Sequence, residues 1–288
     1  MDSCTQAKAS GFSFTLNVLF YVAFSYLMLM LFDLLKFSKN GRSYASYFVS
    51  PLAILAVTIW YFRWTKTSVK EKLRQQNCSW KYYLIAVLLQ IGLFSLSELN
   101  TLFLTWLQKF GYKMPEISLP SMDGWGIVGV LFTVAVLPAV FEEVLFRGML
   151  LDGCRIFGTL GGALVCGGLF ALYHQSPAQT IYQFCCGFAF ALVAMRAGSV
   201  LPTILSHCLN NAIIIFLTKF GVASLNVPVF IVLLCISVPC LIGTLVYLIF
   251  FDRAAEKKAT GTKKEFFISA LGGIAFCAVT WLAMLLGT

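Results

Sequence analysis

Nine apolar runs follow one another along this chain, and they dictate what it can fold into. They cover 12–35, 45–62, 82–107, 124–146, 157–175, 179–196, 201–219, 227–251 and 266–287. Each is long enough for a helix to cross a hydrocarbon core of roughly 30 Å. Inside lipid a spanning segment must satisfy its own backbone hydrogen bonds, which leaves helices or closed barrels, and runs of this length select helices. Composition points the same way. The chain is 59% hydrophobic and only 11% charged, with a mean hydropathy of +0.85, which excludes a water-soluble globular protein. The expected fold class is all-α, a polytopic transmembrane bundle of about 8–9 helices, forming a single integral membrane domain over 1–288. The first run is longer than the apolar part of a cleaved signal, roughly 7–15 residues, so it is expected to stay as an anchor.

The formal charge of +9 invites a nucleic-acid reading, which its distribution excludes. With nine spans, one side of the membrane receives only Lys36, Lys39, Arg42, Lys109, Lys113 and Lys219, and the amino-terminal side receives the other fifteen of the 21 Lys and Arg residues. Positive-inside bias then places the amino terminus in the cytoplasm. The basic excess reports topology and contact with anionic lipid headgroups. Ten cysteines suggest a disulfide or metal framework until they are placed. Cys166, Cys185, Cys186, Cys208, Cys235, Cys240 and Cys277 fall inside the apolar runs with no C-x-x-C spacing, so they read as small buried hydrophobes.

Against this background the buried polar residues stand out. An ionisable side chain at membrane depth costs roughly 2.5–3.5 kcal/mol on insertion scales, so each is a functional candidate. Both histidines of the chain lie in apolar runs, in Phe170-Ala-Leu-Tyr-His174 and His207-Cys-Leu-Asn-Asn211, and a third cluster, Glu142-Glu143-Val-Leu-Phe-Arg147, closes another run. Residues four apart share a helix face, whereas Glu142 and Glu143 point about 100° apart. One carboxylate can therefore pair with Arg147 while the other turns into a cavity. Taken singly, each element has a structural reading: a Glu–Arg pair at a helix end, a hydrogen-bonded core histidine, a core phenylalanine, an asparagine gluing two helices. Their concurrence on successive runs points to one shared polar site. Gly158 and Gly162 form a G-x-x-x-G pair, expected to bring the His174 helix close to its partners. Asp33 reads as interfacial, and Glu98 as a buried carboxylate paired with a neighbouring helix.

The order E-E-x-x-x-R, F-x-x-x-H, H-x-x-x-N on consecutive membrane helices resembles the CPBP family, which comprises the CAAX prenyl endopeptidases and the bacteriocin-processing and self-immunity proteins. Glu142, Glu143 and Arg147 match the first motif, Phe170 and His174 the second, His207 and Asn211 the third. The resemblance covers a core of 125–215, and the first 120 residues carry nothing that matches. It implies an intramembrane endopeptidase acting on membrane-associated peptides or proteins. Glu142 and His174 would activate water, His207 and Asn211 would stabilise the oxyanion, and Glu143, Arg147 and Phe170 would support them. Arg147 is also a candidate to hold a substrate carboxylate.

Glu142, His174 and His207 are candidate ligands for a zinc ion with an open position. The H-E-x-x-H spacing is absent, and a metal-free site is favoured. Because Glu142 falls near the end of a run heading for the cytoplasm, the site is expected to open there, in what the resemblance suggests is a bacterial plasma membrane. Two other readings stand beside the peptidase: an inactive immunity or scaffold protein on the same fold, and a proton-coupled transporter. The transporter reading calls for repeated halves with broken helices, which the sequence does not offer.

Overall fold

The computed structural model describes residues 5–67, 78–114, 119–221, 227–252 and 259–287. Among them every regular element is helical. Eight stretches are long and apolar enough to cross a membrane. One of these, Gly126–Tyr173, turns back on itself, so the nine apolar runs become nine rods. We number them α1 (Gln6–Leu34), α2 (Lys39–Thr65), α3 (Trp80–Lys109), α4 (126–157), α5 (Gly158–Tyr173), α6 (Thr180–Ala197), α7 (Leu201–Lys219), α8 (Val227–Phe251) and α9 (Lys263–Leu286).

The reversal between α4 and α5 sits at Gly158, whose φ of 75° is open to glycine and strained for other residues. From there α5 descends antiparallel along α4. The Cys166 thiol reaches the Phe146 carbonyl, and the Phe146 and Phe170 rings meet edge to face at 4.9 Å. Helix α5 also closes tightly on α6. A Cβ on Gly167 would lie 2.7 Å from the Phe188 nitrogen, and one on Gly187 would lie 2.8 Å from the Gly167 Cα. Gly167 and Gly187 are therefore the close-packing glycines of the α5–α6 crossing. Gly162 packs against the Cys154 carbonyl of α4, while Gly158 has open space around it and makes the turn. The expected G-x-x-x-G pair thus divides into one packing residue and one hinge.

Helix α1 ties the two ends of the chain to this hairpin. Its Ser10 hydroxyl donates to the Met149 carbonyl and accepts from the Gly153 amide of α4. Thr15 donates to the Ser269 carbonyl of α9. Thr5 and Thr262 cap the starts of α1 and α9, and the Ala7 amide donates to the Thr260 carbonyl. These two starts therefore lie on one face of the bundle. Large apolar side chains on α8 and α9, such as Ile231, Val232, Ile268 and Val279, point outward. Such an outer surface is stable only against lipid acyl chains. The molecule is a multi-pass membrane protein.

Two expectations are corrected here. Helix α4 does not end at 146 but runs on to 157, so the Glu142–Arg147 cluster lies near its middle. The charges looked like the end of an apolar run, but in the fold they neutralise one another and the helix continues past them. Glu98, expected to be buried, is exposed where α3 kinks through a short 3₁₀ turn at Phe94–Leu96. Asp33 is exposed and lies 3.5 Å from Arg42, in keeping with an interfacial position. All nine cysteines among the described residues are free.

Candidate active site

The site is built where α4, α5 and α7 cross. In α4, Pro138 sits one turn before Glu142. It has no N–H to offer the carbonyl four residues back, Val134, and the helix widens into a π turn just before it, at Leu131–Val136. A second π turn follows the glutamates at Val144–Leu150. The freed Val134 carbonyl accepts from Asn211 Nδ2 of α7 at 3.3 Å. Consecutive Glu142 and Glu143 then diverge as their angular offset requires, and they meet different neighbours.

Glu143 turns into protein. Its Oε1 accepts from Arg147 Nη1 at 2.8 Å and pairs with His207 Nδ1 at 2.9 Å, and both carboxylate and guanidinium are 0% exposed. Arg147 Nη2 donates to the Gly187 carbonyl of α6. The guanidinium lies 4.5 Å from the Phe170 ring centroid and 5.3 Å from that of Phe190. A cation so enclosed by rings, one carboxylate and one carbonyl is a fixed structural charge. Arg147 is sealed off from any ligand, which removes it as a holder of a substrate carboxylate.

Glu142 turns the other way. Its Oε2 lies 4.0 Å from His174 Nε2 and 3.9 Å from His207 Nε2, and it has no hydrogen-bond partner among the described side chains. The two rings are held by their far nitrogens. His174 Nδ1 contacts the Phe170 carbonyl at 2.7 Å. A carbonyl can only accept, so Nδ1 carries the proton, and the lone pair of the neutral ring is left on Nε2, facing Glu142. Phe170 thereby does two things: its carbonyl fixes the tautomer of His174, and its ring packs at 4.7 Å from that imidazole and 6.0 Å from His207. Gln175, directly after His174, takes a left-handed φ of 52° and ends the helix.

Glu142, His174, His207 and Asn211 share one cavity of about 710 Å³. Its wall also takes Tyr21, Ser46, Tyr47, Ser50, Asn100 and Leu119 from the region before 120, which the motifs did not reach. A second opening of about 510 Å³ reaches Glu142 and His174 between α1 and α9, past Tyr21, Ser50 and Met284. Ser46 and Tyr47, at the break in α2 between Lys39–Ser46 and Val49–Thr65, lie with Leu119, Gln179 and Thr218 toward the face opposite the start of α1. The larger cavity therefore opens away from the amino-terminal face. The expectation of an opening on the amino-terminal, lysine-rich side is corrected, because its premise was that Glu142 lay at that end of the helix.

The metal reading is tested by the same distances. Zinc bonds of about 2.0–2.1 Å in a tetrahedral array put ligand atoms about 3.3 Å apart. The carboxylate-to-imidazole separations of 4.0 and 3.9 Å are wider, and no group of three or more His, Cys, Asp or Glu side chains among the described residues is arranged to hold a metal. The residues as placed do not fit the ion. The separations fall between the zinc spacing and the span of about 4.4 Å across a water molecule that donates to two acceptors at about 2.8 Å each.

Further polar residues complete the site. Asn210, beside Asn211, is buried and bonded to Gln90 of α3 and Tyr182 of α6. Ser50 and Tyr173 hydrogen-bond at 2.9 Å beneath Glu142. A lone glutamine in the apolar run 82–107 and a doubled asparagine were the available signals.

Residues 124–213 match the family model described as type II CAAX prenyl endopeptidase Rce1-like. That segment carries all three motifs, and the match agrees with the CPBP resemblance. No curated protein and no solved structure matches the chain.

Proposed function

We propose that this Rce1-like membrane protein is a glutamate-dependent intramembrane endopeptidase that hydrolyses peptide bonds of membrane-associated peptides or proteins. The observation that carries the reading is the position of Glu142 Oε2, at 4.0 and 3.9 Å from the Nε2 atoms of two histidines on a cavity wall halfway along a transmembrane helix. A carboxylate at that depth whose Oε2 has no hydrogen-bond partner among the described residues is a functional candidate by default.

In this reading a water molecule donates one hydrogen to Glu142 and the other to His174 Nε2, which orients its oxygen lone pair toward the cavity. As that oxygen attacks the scissile carbonyl carbon, Glu142 takes the proton as general base and later returns it to the leaving amine. The carbonyl oxygen, becoming an oxyanion, meets Asn211 Nδ2 and His207 Nε2. Donation from His207 Nε2 requires the doubly protonated ring, and the Glu143 carboxylate on Nδ1 is the counter-charge that such a ring needs. Donors of this kind contribute about 2.7–4 kcal/mol each in a dry site. No step passes through a metal ion.

The test compares the termini of peptides released from membranes containing wild-type protein with those released from membranes containing Glu142→Ala. New termini that vanish with Glu142→Ala, at equal protein levels, are the expected result and also identify the substrate. Identical termini from both membranes would remove the peptidase reading.

A further inference from the structure

Asn211 stands at the end of a chain of hydrogen bonds that all run the same way. Gln90 Nε2 donates to Asn210 Oδ1 at 2.9 Å; behind it, the single hydroxyl hydrogen of Ser206 is shared between the Ala86 carbonyl at 3.1 Å and Gln90 Oε1 at 3.2 Å. Asn210 Nδ2 donates to Asn211 Oδ1 at 3.2 Å, and Asn211 Nδ2 donates to the Val134 carbonyl at 3.3 Å. Tyr182 OH joins at the middle, donating to Asn210 Oδ1 at 2.7 Å. Gln90, Ser206 and Asn210 are all buried.

An asparagine amide can be turned end for end with little change in shape, so something must decide which end of Asn211 faces the cavity. The decision is made upstream. Two donors, from Gln90 and Tyr182, occupy Asn210 Oδ1, so Asn210 can present only its NH₂ to its neighbour. Asn211 must answer with oxygen, and its own NH₂ is left for Val134 and the cavity. Downstream, Pro138 frees the Val134 carbonyl, an acceptor that would meet oxygen against oxygen if Asn211 turned over. Each bond also polarises the next in the same sense, which strengthens the last donor.

We propose that Gln90, Tyr182 and Asn210 are positioning residues for the reaction, setting Asn211 with its NH₂ toward the oxyanion. This inference rests on the peptidase reading above and adds to it a polar relay from two helices, α3 and α6, that bear none of the family's three motifs.

The test uses a quenched-fluorescent peptide spanning the bond whose cleavage depends on Glu142. Asn210→Asp keeps the shape but replaces the NH₂ that faces Asn211 with a second oxygen. It is expected to lower kcat on the order of tenfold or more with KM unchanged, since loss of one oxyanion donor costs about 10²–10³ in kcat. Tyr182→Phe, which removes one of the two donors and no volume, is expected to show the same pattern more weakly. The deciding comparison is the Asn211→Ala background, where both substitutions should cost nothing further because the group they orient is gone. Equal losses with and without Asn211 would overturn the relay, as would full kcat in Asn210→Asp. If Asn210→Asp fails to accumulate, Tyr182→Phe carries the same comparison alone. Normal cleavage by Asn211→Ala alongside an inactive Glu142→Ala would overturn the relay and leave the general-base assignment standing. Retention of activity by Glu142→Ala would remove both.

Discussion

The adjacent glutamates differ in fate because they differ in angle. One hundred degrees of helix rotation sends Glu143 into a sealed pocket with Arg147 and His207 and Glu142 into a cavity. The sealed charge pair holds the site together, and removing Arg147 leaves the buried Glu143 carboxylate with only the His207 ring beside it. Arg147→Ala is therefore expected to destabilise the protein by on the order of 3–5 kcal/mol, read as a fall in the unfolding midpoint in detergent. Arg147→Lys should recover only part of this. A lysine can reach Glu143, but it cannot at the same time donate to the Gly187 carbonyl and lie flat against Phe170. Full recovery by lysine would show that charge alone matters there. Glu142→Ala removes no partner from the fold, so it should leave the midpoint nearly unchanged while abolishing cleavage.

Among the helices, the contact that carries His174 to the site is the crossing of α5 and α6. Gly167 and Gly187 let the two backbones touch, and any added side chain on Gly167 must displace backbone atoms of α6. Gly168, the next residue, faces open space. Gly167→Val is expected to abolish activity and lower the midpoint, whereas Gly168→Val, whose added side chain meets no neighbouring atom, should leave both close to wild type. Equal effects at the two positions would mean that the crossing does not govern the site. Pro138 has a comparable role in α4. By freeing the Val134 carbonyl, it turns a helix-breaking residue into an attachment point for Asn211.

For the whole molecule, two facts are in tension with a cytosolic mouth. Fourteen of the 21 Lys and Arg residues fall in stretches that the order of the spans assigns to the amino-terminal side, Arg147 being sealed inside α4, and the cavity opens on the other. We propose, from the charge bias, that the amino terminus is cytoplasmic and the mouth faces away from the cytoplasm. In intact cells, a membrane-impermeant thiol reagent should label Thr218→Cys at the mouth and spare Lys8→Cys until the membrane is permeabilised, in a background free of other reactive cysteines. The reverse pattern would invert the orientation and place the cleavage site on the cytoplasmic side.

Nine apolar runs, their helical character and the seven motif residues were legible from the sequence, because lipid demands length and apolarity from a span and exacts a cost for each charge placed within it. Where the runs end was less legible. Arg147 reads as a boundary until its carboxylate, carbonyl and ring partners, which come from residues as distant as Gly187 and Phe190, are known. The bend at Gly158, the choice of Gly167 over Gly158 for close packing, the direction of the mouth and the pairing of Gln90 with Asn210 were decided only by tertiary structure. Each depends on which helix lies beside which, and apolar periodicity is silent on that in a solvent as uniform as lipid.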